Sequence, residues 1–345
     1  MDQTRRVLLI RLGGLGDVVF TLPAVNAVKA AFPEARFTFL IYTEFASLLQ
    51  GFPPLDSVIT LDRSRYRSFK AVFGEVFRML HQLRRGKFDL IVDFQGFGET
   101  GLLSRWTGAP ERWGIVYRPS RGWAYTSKVP RDPNLHPIDF QLELVRRSGG
   151  ISLNQPSNKF IVPESAVAKA RLLFQEWGLD AARPTLFIQP FTNGELKNWR
   201  LTDYIGIAKL WKERALQVVF GGGPAEREVL EPARRAGFPV AAGTPLLLSA
   251  GLVGLSTVIL GGDTGLLHLA AAMGKRVVMI INSTHPGKCF PYGHADWAVV
   301  PDDGENIASV KSEVVLEACY RALMESDRPH PLGPDRWDGS KTAAK

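Results

Sequence analysis

"STVILGGDTGLLHLAAAMGKRVVMI", residues 256–280, holds a complete strand–turn–helix–strand pattern. An apolar run at Ser256–Gly262 enters a turn made of Gly261, Gly262, Asp263, Thr264 and Gly265. An apolar helical stretch follows, and "RVVMII" at 276–281 closes the unit. Short apolar runs that lack alternation, separated by helices, belong to a parallel sheet covered on both faces. The pattern extends outward through "TLFIQPF" (185–191) and "LQVVFGG" (216–222). It recurs in the first half as "RVLLIRL" (6–12), "RFTFLIY" (36–42), "SVITL" (57–61), "FDLIVDF" (88–94) and "RWGIVY" (112–117). Between these runs lie amphipathic stretches. Phe69–Arg85 carries apolar residues at Val72, Phe73, Val76, Phe77, Leu80 and Leu83, the stripe of a helix. "SAVAKARLLFQEWG" (165–178) reads as a helix capped by Ser165 and stopped by Gly178.

The fold class is therefore α/β, with two successive β/α series forming two doubly wound domains. A chain of 345 residues exceeds what one core usually supports. The joint is "GGISLNQPSNKFIVP" (149–163), a linker with one short strand. The expected domains are 1–155 and 156–325, and 326–345 reads as a disordered tail. No charged-then-apolar leader is visible, and "RVLLIRLGGLGDVVF" is too short and too polar to span a bilayer. Cys289 and Cys319 make neither a disulfide framework nor a CxxC metal pair. A reduced, cytoplasmic protein without structural zinc is expected.

The net charge is +8, and residues 61–131 hold fourteen Lys/Arg against six Asp/Glu. That stretch is either a solvated basic face or a surface for an anionic partner. Candidate partners are a phosphorylated substrate, an acidic membrane surface or nucleic acid. No RNA-binding signature accompanies it, which argues against nucleic acid.

Three strand-to-helix turns are glycine-rich: "RLGGLGD" (11–17), "FGGGPAE" (220–226) and "LGGDTGLLH" (260–268). In open α/β sheets, ligands bind beyond the carboxyl ends of the strands, where such turns lie. The first turn lacks both a GxGxxG spacing and a following GK[ST]. Its carboxylate, Asp17, would repel a pyrophosphate. Asp17 suits a base, a hydrogen bond to a sugar hydroxyl, or a cap of the next turn. Pro23 fits a helix that begins near Thr21.

The third turn opens a helix with Asp263, Thr264 and Gly265, with His268 one turn in. Thr264 and helix N–H groups suit a diphosphate. Asp263 suits a sugar hydroxyl, and His268 lies on the side of Thr264. "PFTNGELKNWRLTDY" (190–204) adds Lys197, either a partner for a leaving diphosphate or an exposed loop lysine.

Together, "LLIRLGGLGDVVFTLPAV", "FDLIVDFQG", "LKNWR" and "GGDTGLLHLAAAMGKRVVMI" resemble glycosyltransferase family 9, the lipopolysaccharide heptosyltransferases, in order and over most of residues 5–325. The resemblance implies a GT-B fold of two Rossmann-like domains facing across a cleft, with the acceptor on the first and the nucleotide sugar on the second. It implies inverting transfer of a heptose from ADP-L-glycero-D-manno-heptose to a phosphorylated inner-core acceptor, with no metal and no cofactor. By resemblance, Asp17 is the catalytic base and Lys197 the donor-phosphate lysine. Asp263 sits at the donor sugar, and Thr264, Gly265 and His268 form the diphosphate turn. Glu226, or Glu228, meets the adenosine ribose. Gly13 and Gly14 make room for the acceptor. Arg63, Arg65, Arg67 and Lys70 hold acceptor phosphates, with Arg118, Arg121 and Lys128 on the same face. Such an enzyme would touch the anionic inner membrane from the cytoplasmic side. The competing readings are a GT-B enzyme using another nucleotide sugar, an NAD-dependent oxidoreductase, and a non-catalytic nucleotide binder.

Overall fold

The structure, a computed structural model, describes residues 4–50, 52–63, 69–153, 159–285 and 287–326; for 69–73 it describes the backbone alone. Two compact units divide the chain, Met1–Pro156 and Ser157–Lys345. The expected tail lies outside the described residues, apart from Ser326.

The first unit holds β1 (Arg6–Ile10), β2 (Arg36–Tyr42), β3 (Ser57–Leu61), β4 (Leu90–Asp93), β5 (Glu111–Val116) and β6 (Ser127–Pro130). All pairings are parallel, in the order β3-β2-β1-β4-β5-β6. Val7 through Ile10 are wholly buried, which explains why β1 shows no alternation. On one face, Leu8, Ile10, Leu40 and Ile91 pack against Met79 and Leu83 of helix Phe69–Arg85 and Leu103 of helix Gly98–Thr107. Helices Leu15–Ala31 and Pro137–Gly149 pack together in the other layer.

The second unit repeats the plan with β7 (Thr185–Gln189), β8 (Gln217–Gly222), β9 (Val240–Ala242), β10 (Val258–Gly262), β11 (Arg276–Ile280) and β12 (Ala298–Val299), in the order β12-β11-β10-β7-β8-β9. Both sheets therefore show the 3-2-1-4-5-6 winding. The order reverses between β1 and β4 in one sheet and between β7 and β10 in the other. A crevice for ligand forms beyond the carboxyl ends at each such point. Trp199, Tyr204, Trp211 and Phe220 anchor the second core, with Val315 and Cys319 of helix Ser312–Ser326. Burial pushes the Cys319 thiol well above its usual range, so it packs as a small apolar group. Neither cysteine is in a disulfide.

Several local expectations are corrected. β6, β9 and β12 are strands that no apolar run marks; each is a short edge strand with little to bury. The linker shows no strand among its described residues; instead Phe160 N–H donates to the Ala272 carbonyl at 2.8 Å. The cap of helix Glu164–Glu176 lies two residues earlier than expected, at Pro163, so Ser165 lies inside the first turn. Helix Leu15–Ala31 begins six residues before Thr21, which puts Pro23 in its interior, where it removes one backbone donor. Phe77, placed on the buried stripe by its spacing, is 65% exposed, because the buried face turns through Met79 and Leu83.

Candidate active site

At the switch point of the first sheet, the turn after β1 presents Asp17. Its Oδ2 accepts the Gly14 N–H at 3.1 Å, and its Oδ1 pairs with Arg11 Nη2 at 2.6 Å. Asp17 therefore does cap the helix, and it also faces solvent. Its side chain is 43% exposed, against 9% for Arg11. The buried cation braces the carboxylate from behind. Arg11 Nη1 donates to the carbonyl of Phe94, in the turn after β4. Arg11 thus spans the two strands on either side of the switch point. Gly13 is needed for this packing: a Cβ there falls 2.7 Å from the Asp17 Cβ. A Cβ at Gly14 meets nothing nearer than 4.0 Å. The sequence signal for Arg11 is an arginine directly after the buried apolar run Val7–Ile10.

Asp93 closes the same edge from β4. Its Oδ1 accepts the N–H groups of Gln95 and Gly96 at 2.9 and 3.1 Å, and its Oδ2 accepts the Tyr125 hydroxyl at 2.7 Å. Complete burial raises its carboxyl above the usual carboxylate range, against the pull of these donors and Thr100. Its work is to fix the turn that carries Phe94 and Gln95, whose Oε1 accepts the Leu12 N–H at 3.2 Å.

The switch point of the second sheet gathers Lys197, Asp263 and His268. Lys197 Nζ lies 2.9 Å from Asp263 Oδ2, and His268 Nε2 lies 3.0 Å from Asp263 Oδ1. The three side chains grade outward, at 4% exposure for His268, 17% for Asp263 and 56% for Lys197. Burial works to raise the Asp263 carboxyl, but His268 and Lys197 outweigh it and hold it below the ordinary range. The bond to Asp263 in turn raises Lys197, against a smaller effect of burial. A cation held beside a part-buried carboxylate stays charged at neutral pH.

Trp199, two residues beyond Lys197, is wholly buried and donates its indole N–H to the Val310 carbonyl at 3.0 Å. Asn198 Oδ1 accepts the Thr192 N–H at 2.8 Å and closes the loop. A Cβ at Gly262 would meet Thr192 Cγ2 at 2.6 Å, so glycine lets the two strand-end turns touch. Cys289 lies near Lys197, in the loop after β11.

Three of the expected donor-site residues have partners within the protein. His268 is packed behind Asp263 and orients it. The Thr264 hydroxyl accepts the Leu266 N–H at 3.1 Å as the helix cap, leaving its own proton to donate. Glu226 accepts the Gly223 N–H, the same glycine-to-acid cap seen at Gly14 and Asp17. Gly265 is the first residue of helix Gly265–Ala272. In the basic loop, Arg63 pairs with Glu44 and lies 4.3 Å over the Tyr42 ring. Arg65 and Arg67 fall outside the described residues, and Lys70 is described only as backbone of helix Phe69–Arg85. Arg121 and Arg131 lie over the rings of Phe97 and Tyr117, at 6.0 and 5.2 Å, beyond β4 and β5.

Two doubly wound sheets with charged groups at both switch points define a GT-B-like glycosyltransferase. The chain belongs to glycosyltransferase family 9 (heptosyltransferase), whose profile matches residues 76–318. That match includes Lys197, Glu226, Asp263 and His268 and begins beyond Asp17. Lipopolysaccharide heptosyltransferase 1 of Pseudomonas aeruginosa is 26% identical over 305 residues, covering 84% of this chain and 82% of that one. The solved family 9 glycosyltransferase of Veillonella parvula superimposes with a TM-score of 0.83 at 18% identity, covering 94% and 99% of the two chains. An Escherichia coli heptosyltransferase solved with ADP-2-deoxy-2-fluoro heptose gives 0.75 at 21% identity, covering 92% and 99%.

Proposed function

We propose that this enzyme transfers a heptose, with inversion and without a metal, from ADP-L-glycero-D-manno-heptose to a phosphorylated sugar of the lipopolysaccharide inner core. The observation that carries this reading is the Lys197–Asp263–His268 cluster at the second switch point of a family 9 chain. Asp17 takes the proton of the acceptor hydroxyl as that oxygen attacks the anomeric carbon. The bond from that carbon to the diphosphate breaks, and ADP leaves with its electron pair. Lys197 and the N-terminus of helix Gly265–Ala272 stabilise the charge on the leaving group. Asp263, held by His268, keeps lone pairs for a donor hydroxyl. Glu226 offers its remaining oxygen to the ribose. The first unit, with Arg63, Arg65, Arg67 and Lys70, serves the acceptor; the second serves the donor.

A thermal-shift panel tests the donor. ADP and ADP-heptose should raise the melting temperature more than UDP, UDP-sugars or NAD. A preference for UDP would transfer the reading to another nucleotide sugar, and a preference for NAD would overturn sugar transfer.

A further inference from the structure

The buried pair Asp93–Tyr125 lies beside the transfer chemistry and takes no part in it. Asp93 ends β4, opposite Ile10 at the end of β1. Tyr125 follows the short 3-10 turn Pro119–Ala124, in the connection between β5 and β6. Its ring reaches Asp93 through a slot that two glycines keep open. A Cβ at Gly114 would run into the ring, and one at Gly101 would lie 3.3 Å from the hydroxyl oxygen. Val116, Ala124 and Tyr125 form a small core of their own at the base of the turn.

Above this anchor the turn is cationic. Arg118 and Lys128 are exposed, Trp123 is 60% exposed, and Arg121 lies over the Phe97 ring. Arg118, Arg121 and Lys128 have no carboxylate partner among the described residues. Within the turn, Arg121 N–H donates to the Arg118 carbonyl at 3.0 Å and Tyr125 N–H to the Gly122 carbonyl at 3.4 Å. From β5, Arg112 Nε donates to the Ala124 carbonyl at 2.8 Å. The Tyr125 hydroxyl, 2.7 Å from Asp93 Oδ2, ties the turn to the end of β4.

A fully buried carboxylate is costly even when its oxygens are bonded, and an apolar pair filling the same slot would avoid that cost. Core packing alone does not call for it. What the pair adds is position. The turn after Asp93 supplies the Phe94 carbonyl that holds Arg11, and Arg11 in turn holds Asp17. One buried carboxylate thus fixes the turn that aims Asp17 and, through Tyr125, the turn that carries Arg121.

We propose that Tyr125 is a positioning residue for the acceptor: bonded to Asp93, it holds Arg121 at a set distance from Asp17, so that an anionic group of the acceptor and the hydroxyl to be activated are in reach together. This rests on the reading of the first unit as the acceptor side.

The test is Tyr125→Phe, which keeps the ring in its slot and removes one hydroxyl. The KM for phosphorylated lipopolysaccharide core lacking heptose, with its acyl chains removed, should rise about tenfold, the effect of one lost hydrogen bond to a charged group. The change in kcat should be smaller, and calorimetric ADP binding should stay as in the wild type. Arg121→Gln should raise the same KM, and the double variant should exceed either single one only slightly, because Tyr125 acts through Arg121. An unchanged KM in Tyr125→Phe, or effects that simply add in the double variant, would overturn the proposal. So would equal losses in kcat, acceptor binding and ADP binding, the mark of a merely structural role. If the wild type fails to turn over this acceptor, the heptosyl reading falls instead. Hydrogen exchange at the Arg121 and Tyr125 amides then decides: both should exchange faster in Tyr125→Phe, and unaltered exchange overturns the clamp.

Discussion

Replacing Gly13 by alanine tests the catalytic geometry without touching a charged group. The new Cβ would lie 2.7 Å from the Asp17 Cβ and 2.9 Å from its Cγ, where ordinary contact begins at 3.4 Å. These atoms are the stem of the side chain, so no rotation of the carboxylate tip relieves the clash. Asp17 must retreat by about 0.7 Å, which disturbs its bond to Gly14 N–H and its pairing with Arg11. A base misplaced by about 1 Å costs about 100-fold in rate, or about 2.7 kcal/mol of transition-state stabilisation. Gly13→Ala should therefore lower kcat by roughly 30- to 100-fold. Gly14→Ala, with nothing within contact range, should stay within about threefold and lose less than about 1 kcal/mol of stability. Asp17→Asn should abolish transfer and leave ADP affinity within about twofold. The assay is steady-state ADP release with ADP-heptose and a phosphorylated acceptor, alongside calorimetric ADP binding. Full kcat in Gly13→Ala would refute the geometric argument; full kcat in Asp17→Asn would refute the base itself.

The depressed Asp263 carboxyl stabilises the fold above its unfolded value of about 3.9, and that contribution is lost as pH falls through the lower folded value. The raised Lys197 ammonium stabilises below its unfolded value of about 10.4, and its contribution is lost as pH rises through the higher folded value. The melting-temperature advantage of wild type over Asp263→Asn should therefore persist from about pH 5 to 10 and shrink on either side; an advantage unchanged in strong acid would contradict the linkage. Trp199→Ala should cost about 3–5 kcal/mol in a denaturant titration and raise the donor KM by freeing Lys197; an unaltered KM would show that Trp199 does not position the loop. Reversing the charge of Arg63, Arg65 and Arg67 should raise the acceptor KM and spare donor affinity, with the opposite pattern removing the loop from the acceptor site.

What was legible in the sequence followed from burial. β2 stands at the residues its apolar run marked, and β1, β4, β7, β8, β10 and β11 lie within theirs, because strands covered on both faces leave unbroken runs; the edge strand β3 also matches its run, and β5 begins one residue ahead of its run, at Glu111. β6, β9 and β12 left no such run, since an edge strand of two to four residues is half solvated. The chemistry-bearing turns were visible as glycines beside a carboxylate. The partners that aim those carboxylates were not. Arg11 pairs through space with the turn after β4, and Lys197 meets Asp263 across 66 positions of chain. His268 shares a helix side with Thr264 in the sequence, while its depth behind Asp263 depends on the sheet beneath it.

The span of Arg11 also bears on how activity is acquired and lost. One of its nitrogens holds Asp17, and another holds a carbonyl 83 residues further along the chain. A nascent first unit can form the helix Leu15–Ala31 from local sequence alone and β1 once β2 pairs with it. It cannot aim the carboxylate until β4 has docked beside β1. With Asp17 as the proposed base, catalytic competence becomes a late event in assembly, set by the slowest long-range pairing. In partial denaturation the order reverses: loosening of β4 would silence the enzyme while most of its secondary structure persists. Turnover in dilute denaturant would then monitor the integrity of one strand junction, ahead of any global unfolding signal.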